Sequence, residues 1–126
     1  MPQLTELRFA KSHEWVDAQG RVGISDHAQK EITDVVFVEL PKAGRAVKAG
    51  EACAVVESVK AAFDIYAPVS GTISKANEAL SKDPGLINKS PYEQGWIFEI
   101  KASNPGEKSA LMDASGYETF LKENPH

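Results

Sequence analysis

Lys60 is the residue of this chain best placed to do chemistry, because it stands alone between two apolar runs that read as the arms of a hairpin. Ala52-Cys53-Ala54-Val55-Val56 leads into it, and Ala61 to Tyr66 leads out to the turn-forming Pro68-Val69-Ser70-Gly71. A primary amine projecting from a fixed β-turn suits a modifying enzyme, since preorganisation lowers the ordering cost of docking. Such a corner favours covalent attachment of a cofactor over catalysis by the chain itself. Eleven lysines occur here, and an ordinary one is a solvated surface charge. Lys60 differs by its setting: Val59 and Ala61 flank it, Glu57 precedes it by three and Gly71 follows by eleven.

The other reactive side chains form weaker patterns. A small hydrolase built on Ser58 or Ser12 with His13 or His27 would need a linked triad, and no nucleophile-elbow motif is present. His13 and His27 lie in separate blocks without metal-ligand spacing, which reads as structural histidines and no metal site. His126 is terminal. Cys53, the one cysteine, excludes an internal disulfide and reads as a small core residue. Trp15 and Trp96 read as core or edge packing.

The elements that must position Lys60 are mostly strands. Glu6 to Phe9 and His13 to Asp17 alternate, and Gln19-Gly20 turns the chain into Arg21 to Ile24. Asp26 followed by Gln29 suggests a capping box opening a short helix, with Ala28 and Ile32 on one face. Val35 to Leu40 is a β-branched strand stopped by Pro41. Pro41–Glu51 and Pro68–Glu78 then form a quasi-repeat, with Pro, Gly, Lys, Ala and Glu at the same five places. Two such units about a central hairpin suggest two related halves. Asn77 to Lys82 reads as a helical turn, Asp83-Pro84-Gly85 as a break, Ser90 to Gly95 as a loop, and Trp96 to Ile100 as a final strand. The tail turns helical: Asn104-Pro105 is a cap with proline at the first helical position, and Ser115-Gly116-Tyr117-Glu118 reads as a second capping box with Pro125 past the end.

At 126 residues, 42% apolar and 25% charged, the chain fits one domain with a real core. We place the β-rich core at about 6–102 and the helical extension at about 103–126. A net charge of −4 argues against nucleic acid, which needs a basic surface. No apolar stretch approaches a membrane span. The opening residues match neither a signal peptide nor a transit peptide, so a cytoplasmic setting is expected, or the mitochondrial matrix for a processed protein.

Sequence blocks spread along the whole chain carry a resemblance. They are Ser12-His13-Glu14-Trp15, Ile24 to Gln29, Val35 to Pro41, Val56-Glu57-Ser58-Val59-Lys60-Ala61, Pro68 to Gly71, Asn77 to Leu80, Pro84 to Asn88 and Ser90 to Trp96. In order and spacing they resemble the glycine cleavage H-protein family. The resemblance implies a lipoyl-domain-like barrel-sandwich hybrid of two antiparallel sheets, with lipoate joined by an amide to Lys60. It implies that lipoate-attaching enzymes read Glu57, Gly44 and Gly71, although the two glycines can equally serve turn geometry. The implied partners are a pyridoxal-phosphate glycine decarboxylase, a tetrahydrofolate-dependent aminomethyltransferase and a flavin-dependent lipoamide dehydrogenase. The implied activity is that of a carrier, with an aminomethyl group riding on lipoate and no catalysis by the chain. A shuttle visiting three enzymes is most simply a monomer.

By the same resemblance Ser12, Glu14 and Asp64 occupy an arm cleft that shelters the aminomethyl group. Glu14 or Asp64 can hold its protonated amine by a charge-assisted hydrogen bond, the alternative being a solvated strand acid. Glu31 stands where some relatives carry a histidine, and Phe9 where a tyrosine is usual. Biotin carriers place methionines beside the lysine, unlike Val59 and Ala61, and dehydrogenase lipoyl domains carry Asp-Lys-Ala and lack the long N-terminal block. An H-like relay serving other lipoate-dependent enzymes is the remaining alternative.

Overall fold

The computed structural model describes residues 7–123, so Glu6, Pro125 and His126 lie outside the described residues. Two antiparallel sheets form around one core. The larger takes strands β1 (Arg8–Phe9), β2 (Glu14–Val16), β3 (Arg21–Ile24), β9 (Phe98–Ala102), β8 (Gly71–Ala76) and β5 (Ala46–Val47), in that spatial order. The smaller takes β4 (Val35–Glu39), β6 (Ala52–Ser58) and β7 (Ala62–Tyr66), with β6 in the middle. Apolar residues of both sheets meet between them: Val22, Ile73, Phe98 and Ile100 from one, Val38, Val56 and Ile65 from the other. Cys53 is buried in the same core, and burial pushes its thiol up to about 11. The chain is therefore mainly β, as its alternating apolar segments predict.

The two copies of the quasi-repeat pair with each other. Ala46 lies opposite Thr72 and Val47 opposite Gly71, while Ile73 donates its N–H to Arg45 O (2.8 Å) and accepts from Gly44 N–H (2.7 Å). The final strand starts later than its alternation suggests, at Phe98. Ile97, still outside it, is nonetheless tied to β3 by its N–H on Val22 O, 2.7 Å away.

Short helices close the ends of the sheets. Helix α1 (Asp26–Ile32) is capped by Ser25, whose Oγ accepts from Ala28 N–H at 3.1 Å. This corrects the reading of Asp26 as the cap. Asp26 is already helical and its carboxylate takes Gln29 Nε2 at 2.8 Å and Lys30 Nζ at 3.1 Å. Helices α2 (Ala79–Lys82) and α3 (Leu86–Lys89) follow β8 on either side of the Asp83-Pro84-Gly85 break. Asn88 of α3 stitches α1 to β4. Its Nδ2 donates to Gln29 Oε1 (3.1 Å) and Thr33 O (2.8 Å), and its Oδ1 accepts from Val35 N–H (2.9 Å).

Helices α4 (Pro105–Ser109) and α5 (Ala114–Glu123) return along the larger sheet. Asn104 caps α4 as its Asn-Pro pair predicts, its side chain accepting from Gly106 N–H at 3.1 Å. Glu107 then accepts from Ser70 N–H (2.7 Å) and Ser70 Oγ–H (3.0 Å), and Lys108 Nζ donates to Asp17 O (2.7 Å). The expected capping box at Ser115 is displaced. Asp113 is the cap, accepting from Gly116 N–H at 2.8 Å, so α5 begins two residues earlier, at Ala114. Tyr117 of α5 is buried with Leu7, Phe9 and Trp15 in a second apolar cluster. Phe9 and Met112 exchange backbone hydrogen bonds that draw the tail onto β1.

Candidate functional site

The β6–β7 hairpin carries Lys60 at its tip, where the apolar runs place it. Ser58 holds that tip. Its N–H donates to Ala61 O at 2.8 Å, and its Oγ takes Lys60 N–H (3.1 Å) and Ala61 N–H (3.2 Å) while lying 3.2 Å from Ala61 O. A second anchor comes from outside the hairpin: Val59 N–H donates to Asp34 O at 3.0 Å. Local hydroxyl-to-backbone bonds of this kind fix a turn that would otherwise sample many conformations. Lys60 is exposed and forms no ion pair among the described residues. Its Nζ is 3.3 Å from Glu31 O.

That contact places the amine at the rim of a cleft of about 310 Å3. Ser12 and Glu14 line it from β2 and the turn before it, α1 supplies Glu31 and Ile32, and β7 supplies Phe63, Asp64 and Ile65. Ser12, Glu14 and Asp64, separated by up to 52 positions in sequence, thus line one cavity. Glu14 is 1% exposed, which removes the reading of it as a solvated acid. One carboxylate oxygen takes the Ser12 hydroxyl and the other takes Tyr66 N–H at 3.0 Å. Burial pushes its carboxyl up to about 7, against the opposing pull of those hydrogen bonds. Asp64 is exposed and sits opposite Val55 in the sheet, so the solvated alternative fits it better.

The two repeat glycines do different jobs. Gly44 adopts φ +92° with open space where a side chain would start, so backbone conformation is what demands glycine there. Gly71 is outside the left-handed region, but a Cβ on it would run into the Lys101 carbonyl of β9. Glu57 is exposed, in register with Phe37 and Ala62, and its carboxylate takes no hydrogen bond or ion pair among the described residues. Val59 and Phe37 are exposed as well, giving the hairpin an apolar margin.

Sequence reading missed the histidines' position. His13 and His27 both line the cleft, with ring centroids 5.1 Å apart. His13 Nδ1 lies 2.7 Å from the Tyr117 hydroxyl, and His27 Nε2 lies 3.7 Å from Glu31 Oε1, an i,i+4 pair on α1. Only the second pairing is visible as spacing. No group of three or more metal-ligating side chains gathers among the described residues. Among the described residues neither Ser12 nor Ser58 is hydrogen-bonded to a histidine, so the hydrolase reading gains no support there. Trp15 is buried, its indole N–H shared between Ile24 O and Pro91 O at 3.0 Å each, whereas Trp96 lies under the Arg21 guanidinium at 5.1 Å.

No helix among the described residues is long and apolar enough to cross a membrane. Comparison with known proteins agrees with this geometry. The family model for glycine cleavage H-protein matches residues 7–124. The chain is 57% identical over 114 residues to the glycine cleavage system H protein of Deinococcus radiodurans, covering 90% of this chain and 92% of that one. It is 56% identical over 122 residues to the protein of the same name from Cronobacter sakazakii, covering 94% and 95%. The crystal structure of a glycine cleavage system H protein from Mycobacterium marinum superposes with a TM-score of 0.84 at 34% identity, over all of both chains. With that fold, and a family match running across every element described above, this chain belongs to the glycine cleavage H-protein family.

Proposed function

We propose that the chain is the lipoyl carrier of a glycine cleavage system, with lipoate joined through an amide to Lys60. One observation carries the reading: an exposed amine on a hydrogen-bonded hairpin stands at the rim of a cleft containing a buried acid. Such an amine fits the attachment of an acyl arm, and the cleft offers its cargo shelter. When bound, lipoate supplies a sulfur that accepts the aminomethyl group of glycine. Its partners in that role would be a pyridoxal-phosphate glycine decarboxylase, a tetrahydrofolate-dependent aminomethyltransferase and lipoamide dehydrogenase.

The chain's own residues bind and shelter. Glu14, its carboxyl pushed up to about 7 by burial, shifts toward the carboxylate when a cationic amine comes within reach, because opposite charge favours the ionised form. Ser12 orients one of its oxygens and the Tyr66 backbone the other. Ile24, Ile32 and Ile65 limit water around the cargo. Asp64 supplies a second negative charge at the exposed edge, and Glu57 the charge read by the lipoate-attaching enzyme. Gly44 acts through the backbone conformation it permits, and Gly71 through the close approach of β9 that it allows. The bacterial relatives support a cytoplasmic setting for these partners.

Intact-mass measurement with peptide mapping of chain from lipoate-replete cells should find one lipoyl amide, at Lys60. Lys60→Arg should abolish both that mass and glycine–bicarbonate exchange. Exchange that survives the substitution overturns the reading.

A further inference from the structure

The tail reaches both the Ser12–Glu14 segment and the start of α1 through a single hydroxyl. Tyr117 is buried, its ring stacked on Phe9 with centroids 4.3 Å apart and planes 3° from parallel. Its oxygen lies 2.7 Å from His13 Nδ1 and 2.7 Å from Ser25 Oγ. Those two partners belong to neighbouring segments, which continue the β2–β3 pairing of Glu14 with Ile24. His13 sits between Ser12 and Glu14, and Ser25 is the cap from which α1 starts.

Neither partner is easily spared. His13 has φ +79°, an uncommon backbone state for a residue with a side chain, and such states persist only where the surroundings over-determine them. Ser25 is fully buried, and its Oγ already accepts from Ala28 N–H in the first turn of α1. A phenol has one proton and two lone pairs, so it can donate to one neighbour while accepting from the other. The Ser25 N–H to His13 O bond, 2.9 Å, joins the same two segments at the backbone, and the Tyr117 hydroxyl sets their side-chain separation.

We infer that Tyr117 is a positioning residue for the cleft: its hydroxyl holds the Ser12–Glu14 segment against α1, so the C-terminal helix governs how well the cargo is sheltered. The inference rests on the carrier reading above. Loss of the cargo breaks its carbon–sulfur bond; the sulfur keeps the electron pair and takes a proton, and one water turns the remainder into formaldehyde and ammonia. Looser walls admit that water more often.

The test is Tyr117→Phe in the full chain, which keeps the ring on Phe9 and removes only the hydroxyl. Without lipoate, the Nδ1 resonance of His13 should move and the Ala28 amide should exchange several-fold faster. Lipoylation of Lys60 should be unchanged by mass. On the loaded lipoyl chain, formaldehyde release should rise about threefold to tenfold, the scale of one lost hydrogen bond. A His13 resonance that stays put overturns the inference, since a general loss of packing would not act through that nitrogen. Unchanged release beside a Glu14→Gln chain that releases faster also overturns it, and leaves the carrier reading intact. Unchanged release in both variants removes the cleft reading and the inference with it.

Discussion

The amine of Lys60 lies 3.3 Å from the backbone oxygen of Glu31, so the attachment hairpin leans on the C-terminal end of α1. The last carbonyls of a helix lack internal partners and carry the negative end of its dipole, which suits a cation. Acylation of the amine removes that charge but leaves one N–H. The contact is exposed, and an exposed contact of this kind holds weakly.

Removing the charge should therefore barely affect stability. Lys60→Gln is expected to unfold in urea within about 1 kcal/mol of the parent chain. A larger loss would make Lys60 a structural residue instead of a presented one.

Glu14 should give the chain a stability that falls as pH rises. Burial pushes its carboxyl up to about 7 in the folded chain, from an ordinary 4.5, so the folded state holds the extra proton between those values. Stability is full below about 4.5 and declines through about 7, by about 3 kcal/mol in all from this group. Glu14→Gln, which cannot ionise, should flatten that decline. Urea midpoints for both chains across pH 4 to pH 8 check this; parallel curves would mean that Glu14 is not the group responsible.

Alanine should separate the two glycines of the repeat. Gly44→Ala meets no atoms and should cost about 1–2 kcal/mol for its left-handed backbone. Gly71→Ala must push β8 away from β9 and should cost more, with weakened amide protection at Thr72 and Lys101. If folded Gly44→Ala is lipoylated at the parent rate, its role is geometric; a folded chain that resists lipoylation assigns it to recognition.

The cap assignment can be checked in the same way. Ser25→Ala should cost about 1 kcal/mol or more, because the Ala28 amide and the Tyr117 hydroxyl both lose a partner. Asp26→Ala, at the surface, should cost about 0.5 kcal/mol. The reverse order of urea midpoints would restore Asp26 as the cap.

What could be read in advance followed from how local each signal is. The Lys60 hairpin is written in neighbouring residues, two apolar arms and a Pro/Gly turn, and it folds as written. The cap at Asn104 is local too. Ser25 and Asp26 are both good cap formers, so the choice between them fell to distant groups: Tyr117 on the Ser25 hydroxyl and Tyr92 on the Asp26 amide, 2.8 Å away. His13 looked inert because its partner lies 104 positions away. The burial of Glu14 was hidden for a related reason. A strand's alternation marks which side a residue faces, while the cover over that side came from β7 and α1. Only the resemblance had joined Ser12, Glu14 and Asp64 beforehand.

Asn88 has a consequence for how the protein ages. Its side-chain nitrogen gives one hydrogen to Gln29 and one to Thr33, and both receivers are oxygens. Spontaneous loss of ammonia would leave a carboxylate facing those oxygens with nothing to offer them. The seat beneath the hairpin would then loosen with no residue near Lys60 altered, and stored preparations should show it first as faster exchange at the Val59 amide, which is held by Asp34 O next to Thr33.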